Sequence, residues 1–230
     1  MAVTPPLDAV LAAQRRLDGL LDGLTDAVVR APSALPGWSR AHVLAHLEGV
    51  GAALARQARY ATRGETVEVY DGGRPARDAA IEAGAERSAE DLRWAVRSML
   101  GSAEEVWSGL GPEQWRLPVR YRDGEVTTAL LAWWREVEMH TADLLLGHGP
   151  NGWSRAFCAH ALDFLAPRAP EGGLTLVAAD GPEVRTLGTG ERPVTVRGAL
   201  TDLTAWLAGR VPEDRVDAEP GPLPELRPWP

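Results

Sequence analysis

No lysine occurs among the 230 residues; all 24 basic residues are arginine. With Ala, Gly, Leu and Val abundant, this bias is typical of GC-rich coding sequence. It lowers the information in any single arginine, because arginine stands where surface lysine ordinarily would. Cysteine is nearly absent as well. The single Cys158 excludes an intrachain disulfide and the cysteine-rich structural zinc sites, and it permits a reducing compartment. No apolar run approaches the roughly 20 residues that a membrane-spanning helix needs. The opening stretch, MAVTPPLDAVLAAQRRLDG, has no basic segment ahead of an apolar one, so no signal peptide is read. A net charge of −8 and a pI near 5.2 argue against a nucleic-acid partner, since neutralising phosphates requires a basic face. The chain thus reads as a soluble cytoplasmic protein without nucleic-acid or membrane partners; a monomer or homodimer is expected, a state composition does not decide.

What is present is a 45% hydrophobic fraction, ample for a buried core, arranged with helical spacing over the first 150 residues. Leu7, Val10, Leu11, Leu17, Leu20, Leu21 and Leu24 predict one helix from Leu7 to Val29. After the turn APSALPGW, a second helix starts at the N-cap residue Ser39 and runs toward Tyr60. A Gly-rich connection and a short helix, Arg77 to Glu82, lead to a third long helix over Ser88–Leu110. An extended LPVRY and a DGE turn precede the fourth, from Thr127 to a stop at Gly147. Four such helices predict an up-and-down bundle. Beyond Gly149-Pro150 the texture changes. A helix from Trp153 to Leu165 is followed by the strand-like runs LTLVAA, EVRTLG and PVTVRG, a helix over Ala199–Ala208 and a strand near Arg215–Ala218. The fold class expected is α+β: a four-helix bundle over 1–149 and a small α+β domain over 150–230.

Only five histidines occur, so their placement carries weight: His42, His46, His140, His148 and His160. Glu136 and His140 are four apart on the fourth helix and share a face. His46 sits in the apolar frame LAHL of the second helix and is expected to face the bundle interior, whereas His42 lies one turn nearer the exposed start. Two imidazoles and one carboxylate are the ligand set of a catalytic zinc site. The ordinary alternatives are a hydrogen-bonded core histidine and a surface Glu–His pair. Glu138 points away from His140, and Asp143 is spaced to orient its imidazole. HVLAH lacks the glutamate of the HExxH protease motif. Arg77 and Arg87 flank IEAGA and are candidate carboxylate-binding residues, with Tyr70 a candidate pocket residue; solvated surface arginines and a loop anchor are the alternatives. Trp38 reads as a hydrophobic staple, at least one of Trp133 and Trp134 as core, and Cys158 as a buried small hydrophobe.

The segments LPGWSRAHVLAHL, RPARDAAIEAGAERSAEDL and WWREVEMHTADLLLG, in this order and spacing, resemble the mycothiol-dependent maleylpyruvate isomerase family. The resemblance implies a DinB-like metal-binding four-helix bundle followed by a small domain related to sterol-carrier proteins. It implies metal ligands at His46, Glu136 and His140, the cofactors zinc (or another divalent metal) and mycothiol, and an arginine from the C-terminal domain, here Arg210 at the end of TDLTAWLAGR. The helix-terminal alternative for Arg210 is a cation favoured by the helix dipole. The implied reaction is addition of the thiolate to maleylpyruvate, rotation about the resulting single bond, and elimination to fumarylpyruvate. The ligands would then be a small-molecule thiol and a small organic acid. Because a fold does not fix the reaction, two alternatives stand beside it: mycothiol S-transfer to an electrophile, and a non-catalytic, metal-stabilised ligand-binding or regulatory module.

Overall fold

The computed structural model describes residues 5–190 and 193–230, so the first four residues of the stretch read for a signal peptide lie outside it. The chain divides into two units between Leu146 and Gly147. In the first, the predicted helix Leu7–Val29 is broken into α1 (Leu7–Leu21) and α2 (Asp26–Arg30). Leucine periodicity continues across the break, but Gly23 interrupts the chain and Thr25 turns extended. Its hydroxyl then accepts the Val28 N–H, a new N-cap four residues before the expected end.

Helix α3 (Arg40–Ala61) begins after Ser39, whose backbone N–H donates to Nδ1 of His42 at 3.2 Å. Helix α4 (Gly73–Ala85) is longer than predicted, α5 (Ala89–Ser108) is capped by the Ser88 hydroxyl at Asp91 N–H, and α6 (Val126–Asp143) follows. The extended reading of LPVRY holds for residues 117–119, which pair back on residues 124–125 through a bridge between Pro118 and Glu125, while Tyr121 enters a short turn at Tyr121–Asp123. Helix α6 stops four residues short of Gly147. Leu145 adopts a left-handed φ of 54°, and Arg40 and the Ala34 N–H take the carbonyls of Leu144 and Asp143 at 2.6 and 2.9 Å.

The long helices α1, α3, α5 and α6 form a bundle, with α4 laid on α3. Leu17, Leu21, Leu44, Leu47, Leu54, Leu92, Trp107, Leu130 and Trp133 are buried within it, and Trp134 is buried too. A polar tie through Gln14 crosses this core. Gln14 of α1 donates to the Leu100 carbonyl of α5 at 3.2 Å and accepts from Trp133 Nε1 of α6 at 2.9 Å. Gly84 lets α4 approach closely, because a Cβ there would fall 2.7 Å from Cβ of Ala45.

The second unit carries α7 (Arg155–Leu165), β1 (Leu174–Ala178), β2 (Val184–Leu187), β3 (Val194–Gly198), α8 (Leu200–Leu207) and β4 (Asp217–Glu219). The strands form a mixed sheet in the order β2-β1-β3-β4, with β1 parallel to β3 and the other pairs antiparallel. Leu174, Leu176 and Ala178 of β1 face inward in strict alternation. Helices α7 and α8 pack together and α8 covers β1 and β3, with Phe157, Cys158, Leu162 and Leu203 buried. The fold class is α+β, a helical bundle followed by a mixed-sheet domain. Among the described residues, no helix is long and apolar enough to cross a membrane.

Candidate metal centre

Helical geometry brings Glu136 and His140 to one face of α6, and the packing of α3 against α6 sets His46 opposite them. Nε2 of His46 lies 3.0 Å, and Nε2 of His140 3.2 Å, from the same carboxylate oxygen, Oε2 of Glu136. The two imidazole rings meet edge to face, 4.6 Å between centroids at 86°. One ligand atom from each residue lies within 4.8 Å of the others, so His46, Glu136 and His140 form a cluster able to hold a metal ion. Two neutral nitrogens and one carboxylate suit zinc, and three protein ligands leave a coordination position for another group.

Neighbouring groups set the orientation of these three side chains. Oδ2 of Asp143, fully buried on the next turn of α6, lies 2.9 Å from Nδ1 of His140, which directs Nε2 toward Glu136. The ring of Trp38 packs against His46 at 5.7 Å and stacks on His42 at 6.1 Å. Arg77 on α4 places Nη2 3.1 Å from Nδ1 of His46 and its guanidinium 6.0 Å from the ring centre of Tyr70.

The electrostatics follow from these contacts. Burial alone would raise the pKa of Glu136, but hydrogen bonds from His140 and His46 outweigh it and hold the carboxyl far below the usual range. Burial pushes His46 down. Burial also opposes a charge on His140, yet Asp143 and Glu136 together raise its pKa. Burial raises the phenol of Tyr70 against the opposing pull of Arg77.

The structure therefore brings together His46, Glu136, His140, Asp143, Arg77 and Tyr70. Arg87 is engaged elsewhere: it pairs with Glu48, two residues along α3 from His46 and so on another face, and donates to the Gly84 carbonyl at 3.1 Å. His42 caps its own helix and faces Glu82 at 3.5 Å. Glu138 is buried against Arg16. Arg210 belongs to the second unit, where it donates to the Ala208 carbonyl at 2.9 Å and lies over the Trp229 ring. Sequence reasoning overlooked Arg135, a buried arginine within the field of Glu136 and beside Tyr121; burial lowers the pKa of this guanidinium. In a chain where every cation is arginine, nothing in the sequence separates this residue from a surface one. It also read Trp38 as a staple without seeing that the ring would flank His46.

Comparison with known proteins agrees with this architecture. Residues 10–145 match the Mycothiol maleylpyruvate isomerase N-terminal domain, and residues 152–228 match the MDMPI C-terminal domain. A crystal structure of the mycothiol-dependent maleylpyruvate isomerase is similar at 24% identity and a TM-score of 0.85, over 97% of each chain. A histidine-to-alanine mutant of that enzyme is similar at 23% identity, with the same TM-score and coverage. At these identities the likeness speaks for the fold. No curated protein matches the chain. With both of its domains matched in order, over most of its length, this chain belongs to the mycothiol maleylpyruvate isomerase family.

Proposed function

We propose that this protein is a metal- and thiol-dependent cis–trans isomerase, with zinc as the metal, mycothiol as the thiol and maleylpyruvate converted to fumarylpyruvate. The observation that carries this reading is the convergence of His46, Glu136 and His140 within 4.8 Å. A divalent ion held by these three residues would supply acidity, turning a thiol of ordinary pKa near 8.5 into a thiolate at neutral pH.

The protein's own residues have distinct tasks. Asp143 holds the His140 ring so that Nε2 points inward. The carboxylate of Glu136 stays ionised well into acid and contributes the one negative charge of the ligand set. Arg77, with Tyr70 beside it, offers a cation for a carboxylate of the organic acid or of the thiol. Arg210 takes the part the family resemblance implies, a cation that stabilises negative charge developing on the substrate.

The deciding experiment pairs metal analysis of wild-type and His140→Ala protein with a mycothiol-dependent maleylpyruvate assay. Stoichiometric metal in the wild type, its loss in the variant, and turnover requiring both metal and thiol support the proposal. Full metal in His140→Ala removes the ligand assignment. Metal- and thiol-dependent consumption of an electrophile without isomerisation makes the protein an S-transferase. Bound metal with no thiol-dependent turnover makes it a binding module.

A further inference from the structure

Helix α8 ends in a turn that delivers one arginine and receives another. Gly209 has a left-handed φ of 72°, its N–H donates to the Trp206 carbonyl at 2.9 Å, and Arg210 N–H reaches back to Ala205 at 2.8 Å. This Schellman closure sets the backbone of Arg210 rigidly after the helix. The last carbonyls of α8 then meet two guanidiniums. Arg168 Nη1 donates to Leu207 O at 2.6 Å and Arg210 Nη1 donates to Ala208 O at 2.9 Å. A Cβ at Gly209 would come within 3.3 Å of Arg168 Nη1, so glycine suits both the backbone and the space.

The same two guanidiniums share one indole. Cζ of Arg168 lies 5.5 Å and Cζ of Arg210 5.4 Å from the ring centre of Trp229. The ring also packs against Phe164 of α7 at 6.0 Å. Its segment is fastened by a reciprocal pair of bonds: Arg227 N–H to Arg168 O at 2.9 Å, and Arg168 Nε to Arg227 O at 3.0 Å. Two like charges this close repel, and the field of Arg210 is felt at Arg168. The negative face of an indole offsets that repulsion.

We propose that Trp229 is a positioning residue for Arg210, its π face holding the guanidinium in one orientation, and that Arg168 anchors Trp229 in place. The functional half of this inference rests on the role proposed for Arg210 above. A long side chain held beforehand in its working orientation loses less freedom when an anionic ligand arrives.

The test compares Trp229→Phe, which keeps a π face, with Trp229→Leu, which keeps apolar bulk over Phe164 and loses the π face. With 15N-labelled arginine, the Arg210 Nε–H signal, assigned through Arg210→Ala, is expected to be ring-shifted in the wild type. It should stay so in Trp229→Phe and move to the free-arginine position in Trp229→Leu. In the maleylpyruvate assay Trp229→Leu should raise KM by about three- to tenfold, in the range a cation–π contact supplies. Trp229→Phe should restore most of this, and Trp229→Leu/Arg210→Ala should be no worse than Arg210→Ala alone. An Arg210 signal indifferent to Trp229→Leu overturns the positioning role, as do additive effects in the double variant. If Arg210→Ala has full activity while its signal still depends on Trp229, the contact is real and the catalytic reading of Arg210 is what fails.

Discussion

The guanidinium of Arg77 stands 3.1 Å from Nδ1 of His46, while Nε2 of the same ring lies 3.0 Å from Glu136. Arginine can only donate, so Nδ1 is the acceptor and the ring proton sits on Nε2. A metal ion on Nε2 requires the reverse, with the proton on Nδ1. Arginine and ion therefore ask for opposite tautomers of one imidazole, and the cation also repels the ion. Arg77→Met is expected to bind zinc about three- to tenfold more tightly, the effect of relieving one mispaired donor, and to bind an anionic substrate more weakly. Competition with a chromophoric chelator measures the first effect; unchanged or weaker zinc binding refutes the conflict.

Asp143 offers the opposite test. Its carboxylate meets Nδ1 of His140 at 2.9 Å, the right partner for a ring that ligates through Nε2. Asp143→Asn should lower zinc affinity by roughly 10–100-fold. The backbone bond from Ala34 N–H to Asp143 O remains, so the circular dichroism spectrum should not change. Wild-type affinity in this variant would mean that the carboxylate does not orient the ligand.

Acid stability should carry the mark of Glu136. Its native pKa lies below the ordinary 4.5, because the bonds from His140 and His46 overcome burial. Its stabilising contribution is therefore complete above about pH 4.5 and is lost as the pH falls through the lower native value. His140 works in the other direction. Its raised pKa contributes stability below the ordinary 6.5 that disappears as the pH rises through the native value. In chelator-treated protein, the stability gap between wild type and Glu136→Gln should be widest between pH 4.5 and 6.5 and shrink on either side. Urea midpoints across pH measure it, and a gap that does not vary with pH refutes the coupling.

The bundle core has its own critical polar group. Gln14→Leu leaves Trp133 Nε1 buried without its partner, while the Leu100 carbonyl keeps its bond within α5. One such orphaned group costs about 1–3 kcal/mol, and a loss of that size in unfolding free energy is expected. Zinc stoichiometry should be unchanged, because Gln14 lies outside the ligand set. A loss below about 0.5 kcal/mol, the scale of an ordinary surface substitution, would show that the tie is dispensable.

The helical unit was largely legible because its signals are local. Ser39 and Ser88 mark starts that the structure keeps, and the apolar spacing of α3, α5 and α6 corresponds to their buried faces. The break after Leu21 was missed because the leucine spacing carries through it, whereas the Thr25 cap that restarts the chain is a single hydroxyl. The stop at Asp143 was missed because it depends on Arg40 and Ala34, about a hundred residues earlier in the chain. Arg77 and Arg87 read alike in sequence, yet one reaches His46 and the other Glu48.

The sequence by itself determined which side chains share a helix face, and hence that Glu136 and His140 act together, because 3.6 residues per turn is a property of the local backbone. It also set the chemistry available, two imidazoles and a carboxylate with no thiolate ligand among them. The apolar frame LAHL already favoured His46 over His42; tertiary structure decided that His46 comes within 3.0 Å of Glu136 in that pair, and that Arg77 rather than Arg87 is the arginine at the site. Those outcomes depend on how α3 seats against α6 and how closely α4 approaches at Gly84, and such contacts between distant segments are settled by packing the whole core at once.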